Sequence, residues 1–261
     1  MVEEWIDDRI ILITGASSGI GAACARLFAS HGAKLLLNAR RKERLEALAA
    51  ELREKFDTQI LLSPFDVRNL PDVRSALEKL PSEWESIDVL INNAGLARGL
   101  DKFHEGHIEN WEEMIDTNVK GLLYVTRLII PGMLKRGRGH IVNIASVAGI
   151  QTYPNGNVYC ASKAAVRVLS DGLKQDLLGT PIRVSTISPG MVETEFSIVR
   201  FRGDRGRAAQ VYKGVTPLRG EDVADAIFYC ITRPVHVNIS EIVLMPTDQA
   251  SPTLVHRRQS S

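Results

Sequence analysis

Short runs that are apolar at nearly every position recur along the chain. They cover Arg9 to Thr14 (RIILIT), Lys34 to Asn38 (KLLLN), Gln59 to Ser63, Ile87 to Ile91 (IDVLI), His140 to Ala145 (HIVNIA), Ile182 to Ser188 (IRVSTIS) and Glu241 to Met245. A run of this kind predicts a strand buried on both faces. Between the runs lie longer segments with apolar residues at helical spacing. Arg41 to Phe56, for example, carries Leu45, Leu48, Ala49 and Leu52 on one stripe. Helices are also predicted up to about Ser30, and over Pro71 to Leu80, Glu109 to Leu134, Asn155 to Leu178 and Glu221 to Thr232. Strands that alternate with helices predict an α/β fold: a doubly wound, seven-stranded parallel sheet with helices on both faces. Such a sheet binds its ligand at the carboxyl edge. No repeat or linker divides residues 1–261, so one domain is expected, with a core over 9–246 and a polar, basic tail over 247–261.

Composition narrows the class. The chain has 261 residues, 44% hydrophobic and 24% charged, with a net charge of +1. Without a strong field it is not expected to bind nucleic acid or an anionic membrane. No apolar run approaches the roughly 20 residues that span a bilayer, and the acidic N-terminus lacks a signal-peptide pattern. Cys24, Cys160 and Cys230 show no C-x-x-C spacing and read as buried thiols in a reducing compartment. A cytoplasmic protein is expected.

The candidate chemistry falls at strand ends and on one helix turn. Gly15-Ala16-Ser17-Ser18-Gly19-Ile20-Gly21 links the first strand to the first helix. Glycines there let backbone approach a diphosphate, and the first N–H groups of the helix are free to meet it. The second strand ends in Asn38-Ala39-Arg40-Arg41, without the carboxylate that would hold the ribose hydroxyls of NAD. Arg40 and Arg41 suit the 2′-phosphate of NADP; they also begin the basic face of the next helix. Asp66, before Val67, is placed either to bond an adenine amino group or to cap a helix. Asn92-Asn93-Ala94-Gly95 ends the fourth strand. Asn118 sits mid-helix, where an amide is disfavoured. Ser146 follows the fifth strand and Pro189-Gly190 the sixth. Tyr159 and Lys163 are four apart on one helix face, so an ammonium is expected to lower the phenol below its usual pKa of about 10. His104 and His107 have no further ligand in a metal-site spacing, so no metal is expected. Met191 to Gly220 is long, polar and arginine-rich, as a lid or binding loop would be.

Together these motifs resemble the short-chain dehydrogenase/reductase family. Thr14 to Gly21 is similar to its cofactor turn, Asn92 to Gly95 to its fourth-strand motif, and Pro189-Gly190 to its nicotinamide-side motif. Asn118, Ser146, Tyr159 and Lys163 match its catalytic tetrad. The resemblance runs from about residue 9 to 246. It implies a Rossmann-type fold and cofactor contacts from Gly15, Ser17, Ser18, Gly19, Ile20, Gly21, Arg40, Arg41, Asp66, Val67, Asn93, Ala94, Gly95, Tyr159, Lys163, Pro189, Gly190, Val192 and Thr194. Gly156 to Tyr159, Thr194 to Phe201, Val237 to Ile239 and the tail from Pro246 resemble the NADP-dependent branch acting on 3-hydroxy acids such as serine and allo-threonine. That branch implies a soluble homotetramer.

The implied mechanism makes Tyr159 the proton acceptor, with Lys163 lowering its pKa. Ser146 would hydrogen-bond the reacting oxygen, and Asn118 would hold a water that relays protons to Lys163. Hydride transfer belongs to the cofactor. For a hydroxy acid, Arg200 and Arg202 are the candidate partners of the substrate carboxylate. Two other readings stay open: a reductase of bulkier carbonyls (steroid, quinone or 3-oxoacyl type), and a dinucleotide sensor without turnover. The tail is read as docking on a neighbouring subunit or as a free terminus.

Overall fold

The computed structural model describes residues 6–258; the first five residues and the last three of the expected domain lie outside them. Seven strands among the described residues form one parallel sheet: β1 (Ile10–Thr14), β2 (Lys34–Asn38), β3 (Ile60–Leu62), β4 (Ile87–Asn92), β5 (Gly139–Ile144), β6 (Ile182–Pro189) and β7 (Glu241–Leu244). Their order is β3-β2-β1-β4-β5-β6-β7. The order reverses between β1 and β4, and a crevice opens at the carboxyl ends of strands at such a point.

The alternation of side chains along each strand divides the core in two. Ile11, Ile13, Leu35, Leu37, Val89 and Ile91 face α1 (Gly19–Ala29), α2 (Lys42–Lys55) and α9 (Gly220–Ile231). Leu12, Leu36, Leu90 and Ile141 face the other way, onto Val73 of α3 (Leu70–Glu78) and Val125, Ile129 and Met133 of α5 (Gly121–Arg136). Both faces of the sheet are therefore covered, which is why the strands read as unbroken apolar runs.

Four departures from the sequence reading bear on the site. The helix expected over Glu109 to Leu134 is not continuous. It comprises α4 (Ile108–Ile115), a π-helical turn over Asp116–Lys120, and α5. The cap of α3 is Asn69, whose side chain accepts from the Asp72 N–H, and not Asp66. The lid is not a bare loop: it carries α7 (Phe196–Arg200) and α8 (Arg205–Tyr212), closed at its base by a bridge between Val192 and Leu218.

The tail, finally, docks on its own chain. Gln249 Oε1 accepts the Met191 N–H at 2.8 Å, Asp248 accepts the Thr216 N–H at 3.0 Å, and Arg257 donates to the Lys213 carbonyl at 2.6 Å. Arg258 donates its backbone N–H to Gly214 and its guanidinium to Asp248. Residues 246–258 thus strap the lid at both of its ends.

Candidate active site

The β1–α1 turn is built from glycines that cannot be replaced in place. Gly15 has φ +67°, and a Cβ there would stand 2.9 Å from the Ala94 Cα. At Gly21 a Cβ would meet the Gly15 carbonyl oxygen at 2.5 Å. Asn93 braces the turn from β4 by donating Nδ2 to the carbonyls of Thr14 (2.9 Å) and Gly15 (3.1 Å). Asn92, read from sequence as part of the same crevice motif, turns the other way. It is buried and bonds Thr126 and Asn143, each at 2.8 Å.

A cavity of about 590 Å³ opens above this turn, along the carboxyl ends of the strands. Gly15, Ser17, Ser18, Gly19 and Ile20 line one end, with Arg40, Arg41, Asp66 and Val67 beside them. Asn93, Ala94, Gly95, Ser146, Tyr159, Lys163, Pro189, Gly190, Val192 and Thr194 line the rest. Gly21 does not reach the cavity, because it packs behind the turn and holds it closed. The arrangement fits a dinucleotide in size and donor set. The Thr117 hydroxyl lines the cavity and is buried without a hydrogen-bond partner, as a group awaiting a polar ligand would be.

Charge separates the two ends of the cavity. Arg41 donates to Ser17 Oγ and, at 2.8 Å, to Ser18 Oγ. Arg40 lies 3.9 Å from Asp66, but Asp66 is engaged through both oxygens by Arg68. In this structure Asp66 is therefore an ion-pair partner within the protein. Arg68 in turn approaches Glu113, which pairs with Arg98 at 2.6 Å. Sequence reasoning missed Arg98 and Glu113, because nothing in their local pattern marks them.

At the other end, α6 (Asn157–Asp176) presents Tyr159 and Lys163, and β5 delivers Ser146. The Ser146 hydroxyl donates to the Pro189 carbonyl and accepts the Ala148 N–H, and its nearness lowers the Tyr159 pKa. Lys163 Nζ donates to the Ile144 carbonyl at 2.8 Å. Asn118 lies on the π-helical turn and is nearly sealed from solvent. Its Oδ1 accepts the Leu96 N–H and its Nδ2 donates to the Leu96 carbonyl, both at 2.8 Å. Nδ2 also donates to Ser162 Oγ on α6. The side-chain amide is thus taken up in joining the β4 end to α6. Gly95 lies between Asn118 and Lys163, where a Cβ would come within 3.2 Å of one and 3.3 Å of the other.

The electrostatics differ from the sequence expectation. Burial pushes the Tyr159 phenol up from its ordinary value, and the nearby Tyr153 adds to the rise. The Arg200 cation works against this rise. Lys163 is itself lowered to about 8 by burial. A spacing of four residues brings the two side chains to one face, but both are dry there, and desolvation outweighs their mutual effect. Arg200 reaches across from α7. Its Cζ lies 5.1 Å from the Tyr159 ring centroid and 5.3 Å from that of Phe196, and its Nη2 donates to the Tyr153 hydroxyl at 2.6 Å. Its Nε is buried and has no partner. Arg202 lines the cavity but is held at 2.5 Å by Asn110, whereas Arg200 borders a small second pocket that Tyr159 shares. Tyr153, which with Phe196 frames Arg200, was not marked by the sequence.

The short chain dehydrogenase family model matches residues 9–204. The NADP-dependent 3-hydroxy acid dehydrogenase YdfG of Salmonella typhi is 48% identical over 250 residues, covering 95% of this chain and 99% of that protein. Sulfoacetaldehyde reductase 2 of Chromohalobacter salexigens is 45% identical over 242 residues, 92% of this chain and 95% of that protein. A solved structure, the closed form of serine dehydrogenase complexed with NADP+, superposes with a TM-score of 0.89 at 47% identity, covering 96% of this chain and all of that one. A glycine turn braced from β4, a cleft at the strand reversal and the Ser146–Tyr159–Lys163 cluster thus coincide with a family match over most of the sequence, and the chain belongs to the short-chain dehydrogenase family.

Proposed function

We propose that the protein is an NADP-dependent oxidoreductase acting on the CH–OH group of small 3-hydroxy acids such as serine, allo-threonine or 3-hydroxypropionate. The observation that carries this is Arg200, a cation with a buried unpartnered Nε stacked on the Tyr159 ring. A substrate whose hydroxyl meets Tyr159 would place its carboxylate within reach of that guanidinium. A steroid or quinone gives such a cation nothing to bind. A sensor without turnover has no use for a phenol and a serine hydroxyl lining the same cavity.

NADP, held by Ser17, Ser18, Arg40 and Arg41 at one end and by Lys163, Pro189, Gly190 and Thr194 at the other, supplies the hydride acceptor or donor. The residues handle the proton. Tyr159 Oη takes it from the substrate hydroxyl during oxidation and returns it during reduction. Ser146 Oγ donates to the reacting oxygen and, with Arg200, favours the phenolate. Lys163, held near pKa 8, exchanges a proton readily at neutral pH. Asn118 acts by position: it fixes Leu96 to α6.

The similarity to a sulfoacetaldehyde reductase supports a second anion class. A 2-hydroxyethanesulfonate carries its anionic head where 3-hydroxypropionate has its carboxyl carbon. The direct test is NADPH formation with L- and D-serine, threonine isomers, 3-hydroxyisobutyrate, 3-hydroxypropionate and 2-hydroxyethanesulfonate, with neutral propanol as control. Turnover of the neutral alcohol alone would overturn the assignment.

Arg200→Met should raise KM for the acids on the order of 10- to 100-fold. It should also move the acid limb of the oxidation profile to higher pH, because removing a cation disfavours the phenolate. Arg200→Lys should restore the limb but not the KM. If Arg200→Met and Arg202→Met both leave KM unchanged, neither arginine holds the carboxylate.

We further propose a cytoplasmic homotetramer. Three buried, free cysteines fit a reducing compartment. Exposed Leu123 and Leu134 on α5 and Val168 on α6 offer apolar surface for assembly. A one-chain mass by light scattering would remove the tetramer.

A further inference from the structure

We propose that Glu195 is a specificity-determining residue of the coenzyme site, whose carboxylate competes with a 2′-phosphate for Arg41. This rests on the NADP reading above and deepens it.

Glu195 comes from the lid, at the N-terminal cap of α7, and reaches across to the start of α2. Its Oε2 accepts from Arg41 Nη1 at 2.9 Å, and its Oε1 accepts from Arg44 Nη1 at 2.5 Å. The remaining Arg41 nitrogens are also engaged. Nε and Nη2 donate to Ser17 Oγ at 3.3 and 3.0 Å, and Nη2 donates to Ser18 Oγ at 2.8 Å. Four of the five Arg41 N–H groups therefore have an acceptor within the protein, and the fifth belongs to Nη1, the nitrogen that Glu195 already holds. A phosphate that meets this guanidinium through Nη1 meets the Glu195 carboxylate there as well.

The three acceptors are not equivalent. A serine hydroxyl can turn and donate its proton to a phosphate oxygen, so Ser17 and Ser18 can stay beside the anion. An ionised carboxylate only accepts. Beside a dianionic phosphate it has no hydrogen bond to offer and carries a like charge. Glu195 is firmly ionised, since the bonds from Arg44 and then Arg41 hold its carboxyl below the usual carboxylate range. It is therefore the member of the shell that has to withdraw, and Arg44 gives it a place to go. A cofactor with a free 2′-hydroxyl makes no such demand. The charge at position 195 thus weakens binding of the 2′-phosphate form selectively.

Magnitude follows from exposure. The Arg41 and Glu195 side chains are 41% and 36% exposed, so water screens much of their interaction. The effect is a few-fold modulation of affinity rather than a switch.

Calorimetric titration of the full chain with 2′,5′-ADP and with 5′-ADP tests this without turnover. Glu195→Gln and Glu195→Ala should each bind 2′,5′-ADP about two- to fivefold tighter than wild type. Their affinity for 5′-ADP should be unchanged, and the gain should shrink in high salt. Unchanged or weaker binding of 2′,5′-ADP in both variants overturns the proposal. A gain in Glu195→Gln alone does so too, because it would come from a new amide N–H donor rather than from a lost charge. If wild type shows no preference for 2′,5′-ADP over 5′-ADP, the NADP reading itself fails, and this inference with it.

Discussion

Tyr159→Phe is expected to reduce turnover by about three orders of magnitude while NADP binding and folding stay near wild type. The phenylalanine ring fits the space the tyrosine leaves. The residue is 9% exposed, its ring lies 5.6 Å from that of Phe196, and the Arg200 guanidinium sits over its face. All of these contacts belong to the ring and survive the change. The one group lost is the hydroxyl, and with it the atom that carries the proton. Ser146 still has the Pro189 carbonyl as acceptor and the Ala148 N–H as donor, so its orientation is kept. The measurement is single-turnover NADPH formation alongside a fluorescence titration with NADP. A variant that keeps a tenth of wild-type turnover would show that another group moves the proton.

Gly21→Ala should fail at the opposite step. The added Cβ would lie 2.5 Å from the Gly15 oxygen, 2.6 Å from Asn93 Nδ2 and 3.0 Å from the Ala16 Cα. Two of these are backbone atoms, and the tip of Asn93 is held by its bonds to the Thr14 and Gly15 carbonyls. The turn or the β4 end has to shift, and overpacking of this kind costs about 1–3 kcal/mol. NADP binding should weaken on the order of 10- to 100-fold, with a fall in Tm of about 2–8 °C. Gly172 in α6 provides the control. A Cβ there meets nothing within 4 Å, so Gly172→Ala should stabilise the helix slightly and leave NADP binding alone. Wild-type NADP affinity in Gly21→Ala would mean that this turn is not the phosphate cradle.

The two variants divide the site as the sequence divides it, and what was legible follows from how local each signal is. β2 was read with the bounds it has, because KLLLN is apolar and buried along most of its length. The glycine turn was legible for the same reason: its backbone demands are written in adjacent residues. The π-helical turn was not. Inserting one residue into the hydrogen-bond ladder leaves Met114, Leu122 and Val125 at spacings a continuous helix also produces. Only Asn118, out of place in such a helix, hinted at it. The lid helix α8 escaped notice because Arg205–Tyr212 buries a single residue, Ala208, and so shows no apolar stripe. The Tyr159–Lys163 pair was found by its spacing, yet spacing does not report desolvation. A cation that bears on the phenol comes from Arg200, which joins Tyr153 from 47 positions away. Long-range stacking of that kind leaves no trace in a local pattern.

The strap over residues 246–258 has a consequence for the order in which the protein matures. It follows β7, so it leaves the ribosome after every strand of the sheet has been made. Until then, Met191, Lys213, Gly214 and Thr216 lack the Gln249, Asp248, Arg257 and Arg258 groups that hold them. The glycine turn and the β1–β2–β4 crevice can form on a nascent chain, whereas the lid that carries Glu195 and Arg200 cannot yet be clamped. The clamp on the lid, and with it the fixed placing of Val192, Thr194, Glu195 and Arg200, is therefore completed only after β7 has been made.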